Sequence, residues 1–95
     1  MVKHIVFMKL EDNSEENKRV VKEKLMSMQG AIETLKSIEV GLNFDESERA
    51  YDIALITDFE DVKGLKAYST HKLHLLVVAY LKSINTVTKV VDFEY

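Results

Sequence analysis

The sequence predicts a single α+β domain in which an antiparallel sheet carries helices on one face. Segments with a two-residue apolar repeat alternate with segments whose apolar residues recur every three or four positions, and their order is βαββαβ. The length agrees with this class, because 95 residues supply one hydrophobic core and no material for a second. Residues 1–95 are therefore predicted to form one domain.

Composition and charge narrow the classes of function. Hydrophobic residues make up 46% of the chain and charged residues 31%, a balance typical of a folded globular domain. The net charge of −3 provides no field that would attract phosphates, so nucleic acid is not an expected partner. The chain contains no cysteine, which excludes disulfides, thiolate metal ligands and thiol catalysis.

The N-terminal segment and the apolar runs bear on localisation. Charges interrupt the apolar residues 2–10 and no small-residue cleavage site follows, so a signal peptide is not expected. The longest apolar run, Leu75–Leu81, is far shorter than the ~20 residues needed to span a bilayer. A cytoplasmic protein without a membrane partner is therefore expected.

The first predicted strand covers residues 2–10 and has apolar residues in both of its alternating sets. One set includes Val6 and Met8, and the other includes Ile5 and Phe7. Such a strand is expected to be covered on both faces.

A long helix is predicted to follow. Asn13 and Ser14 are both of the N-cap type, and Glu15 and Glu16 come next, where acidic side chains favour the positive helix end. The apolar stripe recurs at intervals of four and three and consists of Val21, Leu25, Met28, Ile32 and Leu35. This stripe places Gly30 inside the helix, at a cost of roughly 1 kcal/mol relative to alanine.

Residues 38–59 predict a β-hairpin. Apolar and polar residues alternate in both arms, and the polar stretch Glu46–Arg49 lies between them. The alternating positions are Ile38, Val40, Leu42 and Phe44 in the first arm, and Tyr51, Ile53, Leu55, Thr57 and Phe59 in the second.

A second helical region is predicted between the hairpin and the last strand. Asp61 is a suitable cap for a helix that carries Tyr68. The following apolar run, which ends near Ser83, is ambiguous. Its length and leucine content favour a buried helix, whereas Val77 and Val78 favour a strand. We predict a helix.

Thr86–Tyr95 closes the chain as a strand rich in β-branched and aromatic residues. The complete order is that of the ferredoxin-like fold, in which two helical segments cover one face of a four-stranded antiparallel sheet. The other face is left bare.

Alternation places apolar side chains on this bare face. They come from the first strand, from Ala54 and Ile56, and from either Val90 or Val91. Burying about four to six of them at roughly 1.5 kcal/mol each is comparable with the whole stability of a domain. We therefore expect two copies to pack these faces together as a homodimer, a dimeric α+β barrel.

Five segments of the chain occur in the order typical of one known family. They are Lys3-His4-Ile5-Val6, Val40-Gly41-Leu42-Asn43, Tyr51-Asp52-Ile53-Ala54-Leu55, Leu65–His74 and Val90-Val91-Asp92-Phe93-Glu94. Together they resemble the stress-responsive dimeric α/β-barrel family over nearly the whole chain. The most specific element is Tyr68 followed by His71 and His74, with His4 on the first strand. One departure is Lys72, where the family usually has proline.

The resemblance implies a homodimer with a pocket between the sheet and the helices of each subunit. Most bacterial members of the family have no established activity. A plant relative is a polyketide cyclase in which the second histidine of the pair is the base and the tyrosine assists, and by position these roles fall on His74 and Tyr68. The other residues predicted to line the pocket are His4, Val6, Met8, Val21, Leu25 and His71. Its apolar walls suit a small apolar or aromatic ligand.

The chemistry of these side chains allows two interpretations. A partly buried histidine beside a phenol can abstract an acidic proton next to a carbonyl, so His74 is a candidate general base and Tyr68 a candidate donor to an enolate oxygen, as in a lyase or cyclase. Alternatively, both residues only complete the polar lining of a small cavity. The protein would then be a non-enzymatic dimer that binds a ligand or has a stress-protective role.

A metal site is a less favoured interpretation. His71 and His74 are expected three positions apart on one helix face, where they could bind a transition metal with His4 as third ligand, but no carboxylate is spaced on that face. The acidic residues Asp45, Glu46 and Glu48 could hold a cation, but a solvated hairpin tip explains them more simply. No metal and no cofactor is predicted.

Overall fold

The computed structural model describes all residues from 1 to 95. In chain order the elements are β1 (Val2–Lys9), α1 (Glu15–Met26), β2 (Ser37–Leu42), β3 (Ile53–Phe59), α2 (Val62–Thr70), α3 (Lys72–Ser83) and β4 (Val87–Glu94).

The four strands form one sheet in the order β2-β3-β1-β4. Every neighbouring pair is antiparallel, and β1 lies between β3 and β4, with Val6 opposite both Leu55 and Val90. The predicted four-stranded antiparallel sheet is therefore confirmed. Because β1 is a central strand, both of its edges are hydrogen-bonded to neighbouring strands.

The connection between β2 and β3 begins earlier than predicted. β2 ends at Leu42, and Phe44 is 97% exposed, so Phe44 does not continue the hairpin arm. The reason is a local turn: the Asn43 side-chain oxygen accepts a hydrogen bond from the Asp45 backbone N–H at 3.1 Å, which competes with strand pairing.

Helix α1 begins as predicted and ends earlier than predicted. Ser14 accepts a hydrogen bond from the Asn17 N–H at 3.2 Å and caps the N-terminus. The continuation to Leu35 is wrong, because the helix ends at Met26 and residues 27–34 form turns. Gly30 has φ +74°, a left-handed conformation that glycine adopts without steric cost and that a helix interior excludes. The rest of the apolar stripe is nevertheless buried: Met28, Ile32 and Leu35.

The second helical region consists of two helices. Asp61 caps α2 by accepting a hydrogen bond from the Gly64 N–H at 2.8 Å, and the apolar run forms α3 as predicted. They are separated at His71, whose backbone is extended (φ −64°, ψ 138°). The His71 Nδ1 accepts from the Leu73 N–H at 3.1 Å and caps α3. None of the three helices has the length and apolar character needed to cross a membrane.

The two faces of the sheet differ in what covers them. The helices pack on the face that carries Val6, Leu55 and Phe59, which are buried. The opposite surface, here called the bare face, carries Ile5, Phe7, Ala54, Ile56, Val91 and Phe93. Phe7 is 48% exposed and Val91 59% exposed. Val90 lies opposite Val6 and is therefore on the helix side of the sheet. Of the two valines Val90 and Val91, it is Val91 that lies on the bare face.

A buried carboxylate joins the start of β3 to the segment after β1. Asp52 accepts hydrogen bonds from the Leu10 backbone N–H at 2.7 Å and from the Asn13 side-chain amide at 3.3 Å. We expect Asp52→Ala to lower the free energy of unfolding by about 1–3 kcal/mol, because it leaves the buried Leu10 N–H without a partner. Urea unfolding measures this change. Glu48→Ala, at an exposed loop position, is the control, and an equal effect of both substitutions would contradict the expectation.

Candidate functional site

A cavity of about 310 Å³ lies between the sheet and the helices. Strands β1, β3 and β4 form one wall and all three helices contribute to the other. Six of the residues predicted from the sequence line it: His4, Val6, Met8, Leu25, Tyr68 and His74. Its walls are mainly apolar, and the side chains of His4, Tyr68 and His74 lie together at one end of it.

The imidazole of His74 is oriented by the end of the preceding helix. Its Nδ1 lies 3.0 Å from the Ser69 carbonyl oxygen. A carbonyl oxygen only accepts hydrogen bonds, so Nδ1 carries the proton in this contact. In the neutral ring, Nε2 then holds the free electron pair. The extended backbone at His71 turns the chain between Ser69 and His74 and allows this contact.

The surroundings of His74 favour its neutral form. Burial lowers the pKa of His74 below its usual value of 6.5, and the nearby His4 and His71 lower it further, whereas the hydrogen bond to Ser69 acts in the opposite direction. At neutral pH the ring is therefore uncharged, with Nε2 able to accept a proton.

Tyr68 lies beneath this imidazole in the core. It is 1% exposed, and its ring centroid is 4.4 Å from that of His74 and 5.0 Å from that of Phe59. Burial raises the pKa of Tyr68 to about 12. The phenol therefore remains protonated at neutral pH and can donate a hydrogen bond to an oxygen on which negative charge develops.

His4 approaches the same tyrosine from the sheet. Its ring centroid is 6.2 Å from that of Tyr68, in an edge-on arrangement. The His4 Nδ1 is paired with the carboxylate of Asp92, which lies directly opposite on β4. Asp92 orients this imidazole and was not among the predicted site residues. Alternation along β4 places it on the cavity side with Val90, so its side of the sheet could be read from the sequence.

A protein-family model matches nearly the whole chain. Residues 2–95 match the model described as Stress responsive A/B Barrel Domain. The chain belongs to this family. No protein with a curated description matches it.

Solved structures show the fold of this member of the stress responsive A/B barrel family in other proteins. A dimeric protein of unknown function with a ferredoxin-like fold from Bacteroides fragilis has 35% identity and a TM-score of 0.83, over 99% of this chain and 95% of its own. Two more distant structures show the same fold. A dimeric ferredoxin-like protein from Thermobifida fusca has 23% identity and a TM-score of 0.84, over 99% and 90% of the two chains. A Dabb family protein from Mesorhizobium loti has 16% identity and a TM-score of 0.77, over 99% and 95%.

Two predicted pocket residues of this family member lie elsewhere. Val21 is completely buried in the core and does not line the cavity. His71 is the residue between α2 and α3, so the expectation that His71 and His74 share one helix face is wrong. No group of three or more histidine, aspartate or glutamate side chains lies close enough to hold a metal ion.

The lowered pKa of His74 predicts a pH dependence of stability. As the pH falls below about 6.5, histidine in the unfolded chain takes up a proton that folded His74 resists, so the unfolded state is favoured. We expect the free energy of unfolding to decrease from pH 7 to pH 5.5, and to decrease less in His74→Gln. Urea unfolding at several pH values measures both slopes.

Titration of carboxylates with lowered pKa values does not affect this comparison of the wild type with His74→Gln. Asp58 and Glu15 have pKa values lowered from 3.8 and 4.5, so their stabilising contributions are lost only at more acidic pH. Equal slopes for the wild type and His74→Gln would show that His74 is not responsible. The glutamine amide can still donate to the Ser69 carbonyl, so the substitution leaves that contact available.

Proposed function

We propose that this protein is a homodimer joined through its bare faces and that the cavity of each subunit binds a small apolar or aromatic carbonyl compound. The bare face supports the first part, because its apolar side chains have no cover within one chain. Two such faces packed around a two-fold axis remove them from water. Dimeric relatives from Bacteroides fragilis and Thermobifida fusca support it as well.

The cavity supports the second part. Its volume of about 310 Å³ is suitable for a small organic molecule, and apolar side chains from β1, α1 and α3 would contact a hydrocarbon or ring. His4, Tyr68 and His74 meet at one end of it. A carbonyl group placed at that end would lie beside both a base and a hydrogen-bond donor.

The chemistry that we propose is proton abstraction from a carbon next to a carbonyl. Nε2 of His74 takes the proton, the C–H electron pair moves into the enolate, and the enolate oxygen accepts a hydrogen bond from the Tyr68 hydroxyl. The enolate can then attack a second carbonyl of the same molecule or eliminate a leaving group, as in a cyclase or lyase. His74 returns the proton to the product.

One observation carries this proposal, the hydrogen bond between His74 Nδ1 and the Ser69 carbonyl inside the cavity. It selects the tautomer whose Nε2 is a proton acceptor, and the neighbouring phenol is kept protonated by burial. A base and an acid are thus available together at neutral pH.

A ligand screen tests the proposal. Aromatic and polyketide-like carbonyl compounds are added to the purified protein and its melting temperature is measured. We expect at least one class to raise the melting temperature and to exchange its α-protons for deuterium in heavy water when the protein is present. A screen without any binder would contradict the ligand-binding proposal and favour a non-enzymatic dimer. Binding without exchange would contradict the catalytic part alone.

A further inference from the structure

The cavity has a second polar end that the proposed chemistry does not use. Lys82 follows His74 by eight positions on α3, which is about 12 Å along a helix. On the sheet side, β1 runs from His4 to Met8, about 13 Å, and Met8 lies opposite Thr88. The cavity is therefore elongated. The end opposite to His74, here called the Lys82 end, is formed by Lys82, Thr86 and Thr88.

The turn after α3 brings these residues to one place. The Thr86 N–H donates to the Leu81 carbonyl and the Asn85 N–H donates to the Lys82 carbonyl, both at 3.1 Å. Asn85 has φ +58°, as required of the left-handed residue in this helix-ending motif. The motif reverses the chain from α3 into β4, so that Thr86 and Thr88 return beside the last turn that carries Lys82.

The polar groups at the Lys82 end lack partners within the protein. The Thr86 hydroxyl oxygen is buried and makes no hydrogen bond. Buried polar atoms almost always have a partner, which makes this one notable. Lys82 forms no salt bridge, and no aspartate or glutamate is among the residues that line this end, since Asp92 is paired with His4 at the other end. The end therefore offers one positive charge and hydroxyl donors to a negatively charged acceptor.

We propose that the cavity binds an elongated monocarboxylate whose carboxylate lies at the Lys82 end. A carboxylate carries one negative charge, which one ammonium group balances, and its two oxygens accept from Lys82 and the threonine hydroxyls. The middle of the molecule is apolar, because Leu25, Val77 and Leu81 line the space between the two ends. This inference rests on the proposed function, because it takes the cavity to be a ligand site. A reactive carbonyl group beside His74 would then lie about 10–12 Å from the carboxylate group of the same ligand.

A pair of matched probes tests the inference. Octanoate and 1-octanol have the same apolar chain, and only octanoate has a carboxylate. Isothermal titration calorimetry of both probes is carried out with the wild type and with Lys82→Gln, Lys82→Arg and Thr86→Val. We expect Lys82→Gln to weaken octanoate about tenfold or more, as is typical of a lost hydrogen bond to a charged group, and to change octanol less than twofold. Lys82→Arg should retain most of the octanoate affinity, and Thr86→Val should weaken octanoate to a smaller extent.

The control variant is Lys63→Gln, since Lys63 is an exposed lysine on α2 outside this cavity. Lys82 lies in the last turn of α3, where a positive charge also favours the helix end. Melting temperatures of the variants therefore accompany the titrations, because a purely structural lysine would change stability without distinguishing the two probes.

Each result has a separate meaning. Equal octanoate affinities in the wild type and Lys82→Gln would overturn the carboxylate assignment and leave the cavity as a ligand site. Failure of both probes to bind the wild type would overturn the assignment together with the ligand-binding part of the proposed function. Lysine-dependent octanoate binding supports the assignment, even if the separate deuterium exchange experiment finds no proton abstraction at His74.

Discussion

Replacing Phe7 with glutamate is expected to convert the proposed homodimer into monomers. Phe7 lies on the bare face and is 48% exposed, so the change removes little packing from the single chain. In a two-fold interface each substitution occurs twice, and losing about 1.5–3 kcal/mol of burial per copy weakens association by at least 100-fold. Burying the two new charges costs more. Sedimentation velocity over a range of micromolar concentrations measures the change.

A matched substitution elsewhere separates dimer disruption from a general effect of the charge. Leu76 is 60% exposed on α3, away from the sheet, and Leu76→Glu should leave the oligomeric state unchanged. Circular dichroism and thermal melting check that both variants fold. A wild-type protein that sediments as a stable monomer at micromolar concentration would overturn the proposed dimer, whatever the variants do.

Replacing His74 with glutamine is expected to remove the general base for proton abstraction while leaving the fold intact. Glutamine can donate to the Ser69 carbonyl as His74 does, but it has no nitrogen able to accept a proton. A positioned general base contributes about 10²- to 10⁴-fold, so the exchange rate of a ligand's α-protons should fall by that factor. Deuterium incorporation into a compound identified in the screen, followed by NMR, is the measurement.

A separate variant tests Tyr68, the proposed hydrogen-bond donor to the enolate oxygen. Tyr68→Phe keeps the ring that packs on Phe59 and His74 and removes only the hydroxyl, so we expect a decrease of about 10²- to 10³-fold in rate. Tyr80→Phe removes a phenol that does not line the cavity and is the control. The wild-type rate should decrease as the pH falls through the lowered pKa of His74, because the protonated ring is no longer a base. A rate insensitive to both site variants would exclude His74 and Tyr68 from the chemistry.

Local side-chain chemistry explains which features of the fold could be predicted. The caps Ser14 and Asp61 act on backbone groups three residues away, so their effect is contained in a short segment. The end of α1 is different. Met28, Ile32 and Leu35 continue the apolar stripe and are buried, but they lie in the segment after the helix. The spacing of apolar residues indicates which side chains are buried and does not specify the backbone conformation that buries them.

The same distinction applies to the site. Tyr68 and His74 lie close together in the sequence and could be identified from the spacing typical of the family. Asp92 could not, because its contact with His4 depends on the pairing of β4 with β1, which joins the two ends of the chain. The prediction that His71 shares a helix face with His74 was wrong for a local reason. The His71 side chain caps the N-terminus of α3, so His71 lies between α2 and α3 and not within one continuous helix.

The sequence alone determined the order of the elements, the sheet with one bare face and the residues that carry the candidate chemistry, since these follow from periodicity and from a recognisable family pattern. Only the tertiary structure decided which of those residues share a cavity, and that Lys82 and Thr86 form its opposite end. These relations depend on strand pairing and helix packing between distant segments, and no local pattern of residues specifies such contacts.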